Sequence, residues 1–478
     1  MQRNNPYCFW LLIVIINFQQ LSAQESGETK SNSTSEISIS NALITVGDIH
    51  ISGNKKTKTN IVLREIPFKT GDKYTLEELV KKFEDARRQL MNTTLFHTVV
   101  VAAEKIDSNL ATVSVTLNER WYLFPAPYFK PVDRNLNQWI VEQKASLSRV
   151  NYGAKLLYYN ATGHNDKLKI FLINGYSRQF SFNYDRLYFD KKLKWGINVG
   201  FAMGKNREVN YNTVNDKQVF LKDNNSFLRN YVTTNAELTY RRKIKTRHSI
   251  GVNYTVENVK DTVLDLNPYY YKTGRNNIRY PGLYYNMSYY DFDYIPYPTK
   301  GYAAQISVSK KGFDHTFNVF ELSVKGSGSW HLSPGIFFTL NLYGGIRLPF
   351  KQAYINQRFL GYGDIFLQGY EYFVIDGVAG GYMKTTLTRK VLDFNIRLPK
   401  KNRKDPVHIP IRIFAKVYGN AGYVHNVQPG YNFLSNKMLY SGGFGIDILT
   451  FYDVTFKLEY TFNQLGQNGL FLHRKTIF

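Results

Sequence analysis

Tyr452-Asp453-Val454-Thr455-Phe456-Lys457-Leu458-Glu459-Tyr460-Thr461-Phe462 alternates without a break. Tyr452, Val454, Phe456, Leu458, Tyr460 and Phe462 share one phase, and Asp453, Thr455, Lys457, Glu459 and Thr461 share the other. Successive side chains of a β-strand point to opposite faces, so the stretch reads as a strand with one apolar and one charged face. The same period recurs upstream. Leu193, Trp195, Ile197, Val199 and Phe201 alternate with Lys194, Gly196, Asn198 and Gly200, and Phe338, Leu340, Leu342 and Ile346 alternate with Thr339, Asn341, Tyr343 and Arg347.

From Trp121 onward, 478 − 120 = 358 residues carry such segments with no helical pattern between them. A soluble sandwich would share the period. The charged residues on the second face and the length of the run favour instead a membrane barrel with a polar lumen. At roughly 20 residues per strand and turn, the run supports a strand number in the mid-teens. Composition agrees. Apolar residues make up only 43% of the chain, yet aromatics reach 16%, with 37 Tyr and 33 Phe, as aromatic girdles at two membrane interfaces require.

Working outward, the chain changes texture before Trp121. Residues 44–120 read as a small α+β unit: a strand at Val46–Ile51, a helical stretch at Thr59–Glu65, a second helix, and strands at His97–Ala103 and Leu110–Leu117. Thr75 with Glu78 three residues on forms a capping box that starts the second helix. Leu76, Leu79, Val80, Phe83 and Leu90 then recur at helical spacing on one predicted face. Residues 24–43, rich in Ser, Thr, Asn and Glu, read as a flexible N-terminus. Residues 1–23 read as a signal peptide: Arg3, the eleven-residue apolar run Cys8–Phe18, then Leu21-Ser22-Ala23. That run is too short for a spanning helix, which needs roughly 20 apolar residues. Cys8 is the only cysteine, so the mature protein is expected to hold no disulfide.

The excess of 61 Lys and Arg over 37 Asp and Glu gives a net charge of +24. Export argues against nucleic acid as a partner, and the Lys400–Lys404 cluster reads as a solvated turn. The nine histidines show no metal-ligand spacing, and neither a Gly-x-Ser-x-Gly elbow nor a phosphate loop occurs. No enzyme activity, metal or cofactor is expected.

Several motifs resemble one family. Ile49-His50-Ile51-Ser52-Gly53-Asn54 and Leu90-Met91-Asn92-Thr93-Thr94-Leu95-Phe96-His97-Thr98-Val99 are similar to the opening strand and later helix end of a POTRA domain. Tyr297-Pro298-Thr299-Lys300-Gly301 resembles a turn-and-strand element of the BamA superfamily barrel. Arg358-Phe359-Leu360-Gly361 with Leu367-Gln368-Gly369-Tyr370-Glu371 resembles its loop that folds into the lumen, and terminal Phe478 its sorting-strand aromatic.

The resemblance implies a sixteen-strand barrel in a bacterial outer membrane, with the POTRA domain in the periplasm. It also implies assembly or translocation of unfolded client polypeptides, in contact with outer-membrane lipid and with other outer-membrane or periplasmic assembly subunits. Only one POTRA domain fits before the barrel, whereas the central assembly protein of the family usually has several. Two readings stay open beside this one: a passive channel or receptor barrel, and a structural subunit of a larger outer-membrane complex.

The family pattern in the lumen loop is Arg-Gly-aromatic, and its partner strand carries aromatic-x-Asp-x-Gly. Here Gln368 stands at the arginine, and Asn420 of Tyr418-Gly419-Asn420-Ala421-Gly422 stands at the aspartate. Replacing both members of a buried ion pair can be near neutral where losing one is costly. Gln368 and Asn420 are therefore expected to meet as a carboxamide pair, with Gly369, Tyr370 and Gly422 around them. On that reading Gln368→Arg alone would bury an unpaired cation.

Overall fold

The computed structural model describes residues 43–107, 109–132, 138–314, 317–398 and 407–475. The expected signal peptide, most of the expected flexible segment, the Lys400–Lys404 cluster and Phe478 lie outside the described residues.

The N-terminal unit runs β1 (Ile44–Ser52), α1 (Thr59–Glu65), β2 (Lys73–Tyr74), α2 (Leu76–Asn92), β3 (Phe96–Asp107) and β4 (Leu110–Glu119). Its sheet order is β2-β1-β4-β3, with β1 and β4 parallel. The α2 capping box forms: the Thr75 hydroxyl accepts from Glu78 N, and the Glu78 carboxylate accepts from Thr75 N. Leu79, Ala86 and Leu90 are the buried residues of this helix, but Leu76 and Val80 are not on the core face and remain exposed. Helical spacing alone placed the stripe one step too wide. The core, built on Val46, Ile61, Phe96, Val113 and Val115, also takes in Tyr122 and Leu193 from the barrel base.

Barrel strands follow as β5 (Leu123–Pro131), β6 (Val150–Tyr159), β7 (Lys167–Gly175), β8 (Ser177–Tyr188) and β9 (Trp195–Asn206). A short hairpin, β10 (Glu208–Val214) and β11 (Lys217–Lys222), interrupts them. The wall resumes with β12 (Arg229–Tyr240), β13 (Thr246–Val259), β14 (Asn277–Phe292), β15 (Gly301–Lys311), β16 (Val319–Ser333) and β17 (Ile336–Leu348). A long loop contains the short pair β18 (Arg358–Leu360) and β19 (Ile375–Asp376). The wall then closes with β20 (Ala379–Leu398), β21 (Val407–His425), β22 (Met438–Leu449), β23 (Thr455–Asn463) and β24 (Asn468–Lys475).

Sixteen strands form one antiparallel sheet from β24 through to β5. Among the described residues no ladder joins β5 to β24. Residues such as Val417, Phe444, Leu458 and Leu472 stay exposed on the outer face, while Lys416, Asp447 and Glu459 are buried on the inner one. This is the alternation a lipid-facing barrel requires, since lipid cannot satisfy open backbone groups.

Two sequence expectations need correction here. A short helix, α3 (Asp261–Leu266), does interrupt the strand run. The last alternating segment also begins as a strand only at Thr455: Tyr452 and Asp453 adopt φ of 56° and 63° in a turn. That turn is held by tertiary contacts. Asp453 pairs with Arg120 at 2.6 Å, and the Tyr452 ring packs on His97.

The N-terminal unit rests against the strand turns at the barrel's near end. Both terminal guanidinium nitrogens of Arg241 donate to the Glu65 carboxylate, at 2.5 and 2.6 Å, and Arg64 lies 3.0 Å from it. Asn92 bridges to the β14–β15 turn, donating to Phe292 O at 3.0 Å and accepting from Ile295 N at 2.9 Å. Asn160 donates to the Thr57 hydroxyl at 2.9 Å.

Candidate functional site

The loop between β17 and β20 packs against the inner face of the last four strands. Pro349 has no N–H to extend β17, and the chain leaves the wall there. Leu367, Tyr370, Phe373 and Ile375 from the loop form a buried cluster with Val424, Leu434 and Leu439. Gly422 lies beneath Leu367: a Cβ on it would come 3.3 Å from Leu367 Cδ2.

The loop turns at Leu367–Tyr370, where Tyr370 N donates to Leu367 O at 3.1 Å. Gly369 adopts φ +90°, and a Cβ there would stand 2.8 Å from Ser441 Cβ. Its N–H donates to Glu371 Oε2 at 2.8 Å, and its carbonyl accepts from Asn463 Nδ2 at 2.7 Å. The Tyr370 hydroxyl donates to Tyr440 O at 3.1 Å, and the ring is 2% exposed. Gly369→Ala combines left-handed strain of about 1–2 kcal/mol with that clash. It should increase protease cutting in the loop while the barrel wall stays folded, as read by limited proteolysis and gel mobility.

Gln368 and Asn420 do not hydrogen-bond to each other. Gln368 Nε2 donates to Glu459 Oε1 at 2.8 Å, whereas Asn420 Nδ2 donates to Ser441 Oγ at 3.2 Å. The reason is charge. A bond to a carboxylate is worth about 1.5–3 kcal/mol against about 0.5–1.5 for a neutral pair, so the amide takes the acid within reach.

Glu459 is the centre of a buried network that motif matching missed. Lys416 Nζ stands 2.5 Å from both Glu459 and Asp447, and His473 Nδ1 stands 2.6 Å from Glu459. Lys457 lies 3.6 Å from Asp447, and the Tyr297 hydroxyl donates to Asp447 at 3.0 Å. Register explains the geometry. Lys416 faces Gly445, which in turn faces Glu459, so no side chain intervenes between lysine and carboxylate across the middle strand. The signal was present in the polar phase of residues 452–462, where Lys457 and Glu459 alternate inward.

This arrangement holds the loop against the wall. Among the described residues no group of three or more His, Cys, Asp or Glu is placed to hold a metal ion.

A small α+β domain ahead of a sixteen-strand barrel with an inward loop defines a POTRA-plus-barrel protein. The family described as POTRA, surface antigen variable number repeat, matches residues 44–120. CdiB from Escherichia coli superposes with a TM-score of 0.53 at 11% identity, over 90% of this chain and 75% of that one. BamA from Haemophilus ducreyi lacking POTRA domains 1–3 gives 0.48 at 14% identity, over 90% and 83%. No curated protein matches by sequence. The chain carries a POTRA domain ahead of a sixteen-strand barrel whose fold is similar to that of CdiB.

Proposed function

We propose that this non-enzymatic barrel assists insertion, assembly or translocation of other polypeptides at the outer membrane, with its POTRA domain in the periplasm. The observation that carries the reading is the seam. Unpaired strand edges are templates for another chain, and β5 and β24 meet no ladder partner across the gap among the described residues. The POTRA sheet offers a second edge, because β3 pairs only with β4 among the described residues. An extended client could add to either edge, with backbone bonds supplying affinity. Client folding would then drive the process in a compartment without nucleotide.

A passive channel fits less well, because the loop at Leu367–Ile375 packs in a buried cluster against the inner side of β20, β21 and β22. A photo-crosslinking residue at Phe129, on the outward face of β5 and 63% exposed, should capture outer-membrane or secreted polypeptides in growing cells. Val324 on β16 serves as the control. Equal capture at both positions, or none at Phe129, would contradict a client-binding seam.

A further inference from the structure

We propose that the outer wall of β6–β13, at the end away from the POTRA domain, binds a phosphate-bearing lipid of the outer leaflet. The leaflet assignment rests on the topology proposed above; the binding chemistry does not.

Strand register arranges this wall in two rows. In the lower row Met203 stands between Phe180 and Val232, and in the upper row Lys205 stands between Arg178 and Asn230. Leu172, Met203 and Val232 are exposed on the outward face, and together with Arg178 and Lys205 they line a hollow of about 890 Å³. An apolar floor beneath a cationic rim is the chemistry of acyl chains beneath a phosphorylated headgroup.

Among the described residues no acid pairs with Arg178 or Lys205. Arg178 and Lys205 sit directly opposite each other, and like charges in that position repel. Arg207 adds a third cation: its guanidinium and that of Arg178 lie over the same Phe227 ring, at 5.3 and 5.2 Å. Neighbouring acids are already engaged, Glu208 by Arg149 and Lys222, Asp223 by Lys260, and Glu257 by Arg229. A phosphate in the upper row, between Arg178 on β8 and Lys205 on β9, would supply the missing negative charge.

The test uses the full chain purified in a non-ionic detergent. It is titrated with bisphosphorylated lipid A, with the same glycolipid after phosphatase treatment, and with inorganic phosphate, and binding is read by native mass spectrometry. Intact lipid A should bind at least tenfold more tightly than the dephosphorylated form. Arg178→Gln with Lys205→Gln should remove that difference, and Val232→Trp, which fills the hollow and keeps both cations, should also weaken binding. Heat-dependent gel mobility reports whether each variant is folded. Should the double variant not fold, Val232→Trp decides the matter. Equal binding of the two glycolipids, or unchanged binding in the folded variants, would overturn the site. Full competition by equimolar inorganic phosphate would mean an ion site without lipid recognition, and would overturn it too. Because this binding is measured without clients, its failure would leave the assembly reading standing.

Discussion

Glu65→Ala is expected to detach the POTRA domain from the barrel base while leaving both units folded. Glu65 is 2% exposed, and its carboxylate is bound by both arms of Arg241, itself 8% exposed. Removing one partner of a buried pair costs about 3–5 kcal/mol, because the other charge stays buried without compensation. Burial by itself would raise the Glu65 pKa. The Arg241 charge and hydrogen bonds, with Arg64 and Arg247 adding, outweigh burial and bring it from 4.5 down to about 2.

A depressed folded pKa fixes the direction of the pH dependence. The stabilisation is fully present above 4.5 and is lost as the pH falls toward about 2. The size of that shift corresponds to about 3 kcal/mol. The protection of the α1 amides, taken relative to the unstructured-chain rate at each pH, should therefore fall through this acid window in the parent protein. In Glu65→Ala protection should already be low at neutral pH and change little on acidification. High, pH-independent protection in both would show that the pair does not hold the domain.

Glu459→Ala is expected to have the second large effect, releasing the lumen loop. The carboxylate accepts from Lys416, Gln368 and His473 at once, and its loss should cost about 3 kcal/mol. Lys416 keeps Asp447 at 2.5 Å, which holds the cost at the lower end for buried pairs. Thermal unfolding in detergent and protease accessibility of residues 365–375 give the readout. A double-mutant cycle separates the two possible partners of Gln368. Coupling of about 1.5–3 kcal/mol is expected with Glu459, as for a bond to a charged group, and close to none with Asn420. Gln368→Arg alone should now be tolerated, since an arginine there faces Glu459 and can pair with it. Strong coupling to Asn420, or collapse of the barrel in Gln368→Arg, would contradict the observed geometry.

The barrel was legible because period two and one apolar face are physical requirements of a lipid-exposed strand. The same rule misjudged residues 452–454. Alternation persists there through a turn, since Tyr452 packs on His97 and Asp453 pairs with Arg120, and period alone cannot separate a strand from a turn held by tertiary contacts. α2 was legible from spacing and from the Thr75–Glu78 cap. The exposure of Val80 was not, because which helix face is covered depends on how the sheet lies against it. In the lumen, the motif pointed to the turn at Gln368-Gly369-Tyr370 but to the wrong partner. Glu459 is 91 residues away from Gln368, and their meeting depends on the dip of the loop and on the Lys416–Gly445–Glu459 register. Neither is encoded in any short stretch. The POTRA–barrel contact through Glu65 and Arg241, 176 residues apart, was invisible for the same reason.

Depletion of the protein, followed by quantification of the folded outer-membrane and secreted proteomes, tests the proposed function most directly. A polypeptide assembly or translocation role predicts the loss of folded barrels, or of a defined secreted species, before growth slows. Unchanged outer-membrane and secreted proteins, together with reduced uptake of a small solute, would contradict it and favour a passive channel.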